Sequence, residues 1–231
     1  MEGYYDEILS AEKLRQAYSI APPRVRRYLE AEIEYVLRHL NPGDTVLELG
    51  CGYGRVLRHF ARAAQIVVGI DTSPASLLLG QETLSDLGNC HLVCMDAVHL
   101  GFTRWTFDCV VCIQNGISAF HVDQRALISE SIRVTRRGGT VLFSSYSDRF
   151  WVDRLRWFEM QADAGLLGEI DRERTGDGVI VCKDGFRATT VLKPQFESLT
   201  AGLDADVSVT EVDRSSLFCC IVPGIGRNGS R

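Results

Sequence analysis

Near the start of the chain, apolar residues recur at helical intervals. Val25, Leu29, Ile33, Val36, Leu37 and Leu40, with polar residues between them, predict a helix over Arg24 to Leu40. An earlier helix is expected over Tyr4 to Ser19, with Ala21-Pro22-Pro23 as the break and Asn41-Pro42-Gly43-Asp44 as the following turn. The pattern then changes to short, almost wholly apolar runs. Thr45 to Leu49, Gln65 to Ile70, Cys90 to Met95, Phe107 to Ile113 and Thr140 to Ser145 read as five strands. Helices are expected from the first glycine loop to about Ala64, over Pro74 to Leu87 and over Gln124 to Arg137. The last is stopped by Gly138-Gly139, with Arg136 and Arg137 in its final turn, where the helix dipole favours cations. Uniformly apolar strands alternating with helices predict a doubly wound α/β fold around a mostly parallel sheet covered on both faces.

After Ser145 the rhythm changes. Asp148 to about Leu167 reads as a helix rich in aromatic residues, including Phe150, Trp151, Trp157 and Phe158. A hairpin turning at Asp184-Gly185 follows, then a short helix over Pro194 to Gly202 and strands at about Ala205 to Val212 and Ser216 to Val222.

The segment VLELGCGYGRVL, Val46 to Leu57, asks what so much backbone freedom serves directly after a buried strand. Glycine costs conformational entropy, and the usual return is a backbone that approaches a ligand closely. A dinucleotide fingerprint would place a glycine where Arg55 stands, and no Gly-Lys-Ser/Thr follows for a phosphate loop. The acids discriminate further. Glu48 lies beneath the loop, Asp71 closes the second strand and Asp96 the third. A carboxylate can accept both ribose hydroxyls or an exocyclic amine. Three of them suit a cationic, amino-bearing nucleoside and would repel a pyrophosphate.

On VLELGCGYGRVL, VVGIDTSPASL, CMDAVHL, FDCVVCIQNGISAF and GGTVLFSS, in that order and spacing, the chain resembles the class I S-adenosylmethionine-dependent methyltransferases. The resemblance covers about residues 36 to 146 and, through the last two strands, much of the C-terminal third. It implies S-adenosyl-L-methionine as cofactor, S-adenosyl-L-homocysteine as product, and a seven-stranded sheet whose last strand, Ser216 to Val222, is antiparallel. It also implies a set of roles. Gly50, Cys51, Gly52 and Gly54 would form the loop under the methionine portion, and Glu48 would order it. Asp71 would hold the ribose with Thr72 beside the adenine. Asp96 would accept from the adenine amine, the Ala97 backbone would meet the ring, and Ile113 or Gln114 would offer a carbonyl to the methionine amine.

The expected division is a single methyltransferase domain with an N-terminal helical cap (1–40), a cofactor-binding core (41–146), a lid insertion (147–192), the last two core strands (193–223) and a loose tail (224–231). Candidates at the acceptor are Tyr146 at the mouth of strand five, His121 after strand four, and Tyr5 beside Tyr4 near the N-terminus. Asn115, Trp151, Trp157, Phe158 and Arg187 are secondary, since each has an ordinary packing or surface role. Ile113-Gln114-Asn115-Gly116 replaces the Asn/Asp-Pro-Pro-Tyr/Phe tetrapeptide of many amino-methylating enzymes of nucleic acids and proteins.

Bulk properties narrow the partners. A net charge of −5 over 231 residues gives no electrostatic footprint for nucleic acid. The N-terminus lacks the pattern of a signal peptide and no apolar run is long enough to span a membrane, so a cytoplasmic protein with a small-molecule methyl acceptor is expected. Sequence is silent on oligomeric state. Eight cysteines invite a metal reading, but Cys109 and Cys112 fall on opposite faces of one strand, so no metal site is expected and the thiols read as reduced core residues. Two alternatives stand beside the leading one: a methyltransferase acting on a thiol or metalloid, and a cofactor-binding protein without transferase activity. An NAD-dependent oxidoreductase is disfavoured by the glycine pattern.

Overall fold

The computed structural model describes residues 11–224. Tyr4, Tyr5, the expected start of the first helix and the tail beyond Gly224 lie outside the described residues. Helices α1 (Ala11–Ser19) and α2 (Pro23–Leu37) come first, followed by β1 (Thr45–Leu49), α3 (Leu57–Phe60), β2 (Ile66–Asp71), α4 (Pro74–Thr83) and β3 (Cys90–Cys94). The chain continues through β4 (Phe107–Cys112), α5 (Gly116–Ala119), α6 (Gln124–Val134) and β5 (Thr135–Tyr146). A 3₁₀ turn at Asp148–Phe150 leads into α7 (Trp151–Asp163), then the hairpin β6 (Ile180–Val181) and β7 (Arg187–Ala188), α8 (Lys193–Thr200), β8 (Ala205–Val212) and β9 (Ser216–Pro223).

The sheet has seven strands in the order β3-β2-β1-β4-β5-β9-β8. β1 to β5 pair in parallel, and β9 runs antiparallel to both β5 and β8. Alternation along β4 sends Cys109 to one face and Cys112 to the other, each within its own apolar cluster. Fully buried Val46, Leu47, Val110 and Val141 lie where both faces are covered, and burying each contributes about 1.5–3 kcal/mol. A third apolar cluster lies apart from these two. It joins Val25, Tyr28 and Leu29 of α2 to Tyr146, Phe150, Trp157 and Phe158. The N-terminal helices and the segment after β5 thus share one core beside the sheet's carboxyl edge.

Helix ends differ from the pattern: α2 stops at Leu37 rather than Leu40 and α4 at Thr83 rather than Leu87, and two further ends have a visible cause. The helix expected to reach Ala64 is only Leu57–Phe60, because Gly54, at φ 77°, closes a turn on Cys51. At the other end Asn89 Nδ2 donates to the carbonyls of Ala61 and Ala64 and holds the chain in turns. α6 ends at Val134 rather than Arg137. Thr135 already pairs with Phe107, so Arg136 and Arg137 belong to β5. Arg136 is held by Asp108 at 2.6 Å, and the Arg137 guanidinium lies 5.1 Å over the Trp105 ring. A salt bridge and a cation–π contact replace the expected helix-dipole interaction.

Candidate active site

Strand order reverses between β1 and β4, and in open sheets ligands bind outside the carboxyl ends at such a point. A cavity of about 390 Å³ opens there. It is lined by Glu48, Gly50, Cys51, Gly52, Asp71, Thr72, Asp96, Ala97, Ile113 and Gln114, so ten of the eleven expected cofactor residues converge on one space. Gly54 is the exception: it faces the residue that caps α4, where a Cβ would meet Leu84 at 2.5 Å.

Gly50 and Gly52 adopt φ of 72° and 54°, a region that side chains disfavour. The Gly50 and Cys51 N–H groups both donate to Ile70 O at 2.9 Å, which folds the loop back onto β2. Asp71 fastens it further, accepting from Gly52 N through Oδ2 and from Ser73 N through Oδ1, both at 2.8 Å. The same carboxylate therefore shapes the loop and faces the cavity. Asp96 accepts from Val98 N at 3.0 Å and from His99 Nδ1 at 2.8 Å. Burial alone would raise Asp96, but these two donors hold it below the usual carboxylate range.

At the end of β4, Gln114 and Asn115 both take left-handed conformations, with φ of 57° and 65°. Neither is glycine, so the surroundings must hold them. Gln114 N donates to Glu32 Oε2 at 2.7 Å and to Ser144 Oγ at 2.8 Å, while its Oε1 accepts from Tyr18 OH at 3.0 Å. Asn115 donates to Thr189 O at 3.0 Å and accepts from Ser145 Oγ at 2.7 Å.

Glu48 is 4% exposed, and its Oε2 has no hydrogen-bond partner among the described residues. Burial pushes its carboxyl up to about 8, against the pull of Arg55. A buried carboxylate without a partner is costly unless a ligand supplies a cation or donor. That orphaned acceptor fits an ammonium group, and Asp71 and Asp96 add acceptors for hydroxyls and an amine. The residues present therefore fit S-adenosyl-L-methionine.

The other side of the cavity is aromatic. Tyr18, Tyr28, Tyr146, Trp157 and Phe158 line it together with Gln161. Trp157 Nε1 donates to Ala17 O at 3.0 Å, joining α7 to α1. Buried Arg154 lies 4.4 Å over the Tyr146 ring and donates to Gly178 O at 2.9 Å. Tyr146 lines the cavity as expected, but burial pushes its phenol up to about 12, so at neutral pH it can donate a hydrogen bond and cannot take a proton. His121 also lines the cavity. It has φ 54°, and desolvation of the ring at the cavity wall together with the nearby Arg187 charge lowers its imidazole, leaving it neutral at physiological pH. Tyr5 lies outside the described residues. Cys51 is the cysteine at the cavity wall, and burial together with Glu48 and Asp71 raises its thiol well above the usual range, which argues against a reactive thiolate.

Several site residues escaped the sequence reading. Glu32 had a visible signal, because it falls between Leu29 and Val36 on the apolar face of α2. Arg55, directly after the last loop glycine, stands out in the sequence only as a departure from a dinucleotide fingerprint. Tyr18 and Gln161 had no signal, since their place depends on tertiary packing.

Residues 46–139 match the family model described as a methyltransferase domain. A 2-methyl-6-phytyl-1,4-hydroquinone methyltransferase of Synechocystis is 28% identical over 138 residues, which is 55% of this chain and 42% of that protein. A demethylmenaquinone methyltransferase of Corynebacterium urealyticum is 33% identical over 108 residues, 47% of this chain and 44% of that protein. The chain thus spans less than half the length of these curated relatives. The solved DhpI-SAM-HEP complex shares the fold, with a TM-score of 0.64, 22% identity and coverage of 96% of this chain and 95% of that one. Sequence motifs, strand order and the convergence of the carboxylates and glycines on one cavity agree with the match over residues 46–139, and together they support a class I S-adenosylmethionine-dependent methyltransferase.

Proposed function

We propose that this protein transfers a methyl group from S-adenosyl-L-methionine to a small molecule with an apolar, planar portion. The observation that carries this reading is the two-sided cavity, with acids and glycines on one wall and Tyr18, Tyr28, Tyr146, Trp157 and Phe158 on the other. The bound cofactor supplies a methyl group already activated by its sulfonium charge. The chain's own residues bind, align and exclude water. Holding two reactants in line can contribute about 7–11 kcal/mol.

Glu48, Asp71 and Asp96 hold the cofactor side, and Gln114 presents its backbone at the β4 end. Tyr146 orients the acceptor by donating a hydrogen bond. Neutral His121 is the group able to take a proton where the acceptor must lose one. Residues 147–192 act as a lid through Trp157, Phe158 and Gln161. Quinone-type acceptors are named for both curated relatives above, which supports a planar acceptor here. The walls are set for a small molecule, and no helix among the described residues is long and apolar enough to cross a membrane.

The test is methyl transfer from cofactor labelled on the methyl group to a panel of hydroquinones, phenols, carboxylic acids and amines. Label entering a small-molecule product supports the proposal. Tight binding of S-adenosyl-L-homocysteine with no transfer to any acceptor, and no consumption of cofactor, would favour a binding protein instead.

A further inference from the structure

Beside the aromatic wall of the cavity, the Tyr28 hydroxyl and Gln114 Nε2 are buried and find no hydrogen-bond partner among the described residues. Both side chains line the cavity, and Tyr28 has no exposed surface. The fold makes them neighbours. Tyr28 and Glu32 stand one turn apart on the same face of α2, and Glu32 Oε2 accepts the Gln114 backbone N–H at 2.7 Å. The Tyr18 hydroxyl donates to Gln114 Oε1 at 3.0 Å, which leaves the amide nitrogen as the open end of that side chain. A buried polar atom without a partner is costly, so two of them lining one space mark a place that a ligand fills.

The chemistry of that ligand follows from what these atoms can give. Gln114 Nε2 only donates. Burial, with Glu32 and Tyr146 adding to it, pushes the Tyr28 phenol well above its usual range, so it keeps its proton and can donate too. The Tyr146 ring lies 5.3 Å from that of Tyr28, and its phenol is likewise a donor at neutral pH. Glu32 offers no acceptor in return, because its two oxygens are taken by Gln114 N and Ser216 Oγ. Cations back the rings: the Arg154 guanidinium lies 4.4 Å over Tyr146 and that of Arg55 4.5 Å over Tyr18. Donors with positive charge behind them suit an electron-rich oxygen. We propose that the Tyr28 hydroxyl and Gln114 Nε2 anchor an anionic oxygen of the methyl acceptor, carried as a carboxylate or a phenolate on its planar portion. The inference deepens the methyltransferase reading above and rests on it. It narrows the acceptor from planar to planar and acidic, since an ammonium group would set donors against donors.

Binding is measured by calorimetry on protein saturated with S-adenosyl-L-homocysteine. The probes are 2-naphthoate, 2-naphthol and 2-naphthylmethylammonium, similar in shape and different in charge. Wild type should take naphthoate or naphthol at least about tenfold more tightly than the ammonium. Naphthoate ahead of naphthol assigns a carboxylate acceptor, and the reverse a phenolate. Tyr28→Phe should weaken naphthoate about 10–100-fold, the loss of a hydrogen bond to a charged oxygen, and leave S-adenosyl-L-homocysteine within about twofold. Gln114→Glu keeps the acceptor for Tyr18 but replaces the donor by a charge, so it should turn the preference toward the ammonium. A wild type that bound the ammonium as tightly as naphthoate and naphthol would overturn the anchor, as would variants that left every probe unchanged. Equal weakening of naphthoate and S-adenosyl-L-homocysteine by Tyr28→Phe would overturn it in favour of a structural role. If the wild type failed to bind S-adenosyl-L-homocysteine, the methyltransferase reading itself would fall.

Discussion

Glu32 Oε2 accepts the Gln114 N–H at 2.7 Å, joining the second helix to the end of the fourth strand across 82 positions of sequence. Its other oxygen accepts from Ser216 Oγ at 2.7 Å on β9. A single side chain with no exposed surface thus bonds to two strands beside the cavity. It also holds the left-handed backbone of Gln114, which no glycine relieves. Glu32→Ala should leave the Gln114 N–H with only Ser144 and strand the Ser216 hydroxyl. The expected cost is about 1–3 kcal/mol, a fall in Tm of roughly 3–8 °C. Glu32→Gln, which keeps one acceptor, should lose less than half of that. Calorimetric melting of both variants decides it, and an unchanged Tm in Glu32→Ala would remove this role.

Binding should release a proton. Glu48 stands at about 8 without ligand, raised by burial and by Asp71 and lowered by Arg55. An ammonium placed beside it favours the carboxylate, so ligand lowers its pKa and binding tightens as pH rises toward 8. Calorimetry of S-adenosyl-L-homocysteine at pH 7 in buffers of different ionisation enthalpy should show nearly one proton released. Glu48→Gln should abolish the release and weaken binding at pH 8.

Unliganded stability should fall with rising pH. Burial raises Glu32 to about 7 and Glu48 to about 8, both above the ordinary 4.5. The folded state therefore holds more protons than the unfolded chain between these limits. The stabilisation is complete below about 4.5 and is lost as pH passes through 7 and 8, on the order of a few kcal/mol in all. Glu48→Gln should flatten the fall and melt above wild type at pH 9. A wild-type Tm that rose from pH 6 to pH 9 would contradict both assignments.

Trp157→Phe keeps an aromatic ring but loses the bond to Ala17 O, leaving that carbonyl unpaired. The expected cost is about 1 kcal/mol, expressed as a several-fold faster release of S-adenosyl-L-homocysteine. Stopped-flow displacement measures it, with little change expected in the association rate.

The parallel strands were legible because each is a short, mostly apolar run; β1 and β4 are buried on both faces, whereas the edge strand β3 has no fully buried residue. β1, β8 and the Asp184-Gly185 hairpin stand where their patterns place them. The ends of α3 and α6 were not legible. Asn89 terminates the one from 25 to 28 residues away, and pairing of Thr135 with Phe107 terminates the other. Local pattern carries no record of such distant partners. The cofactor wall was readable because it is built from strand ends close in sequence to their motifs. The aromatic wall draws on α1, α2, β5 and α7, which meet only in the folded chain.

α1 spans both halves of the site. Ala11 N donates to Ser76 Oγ at 3.0 Å and Leu14 lies against Gly52 on one side, while Tyr18 and Ala17 meet Trp157 on the other. A displacement of this one helix uncovers both walls together. Nine residues thus tie the exposure of the acidic wall to that of the aromatic wall, and the two form one mechanical unit.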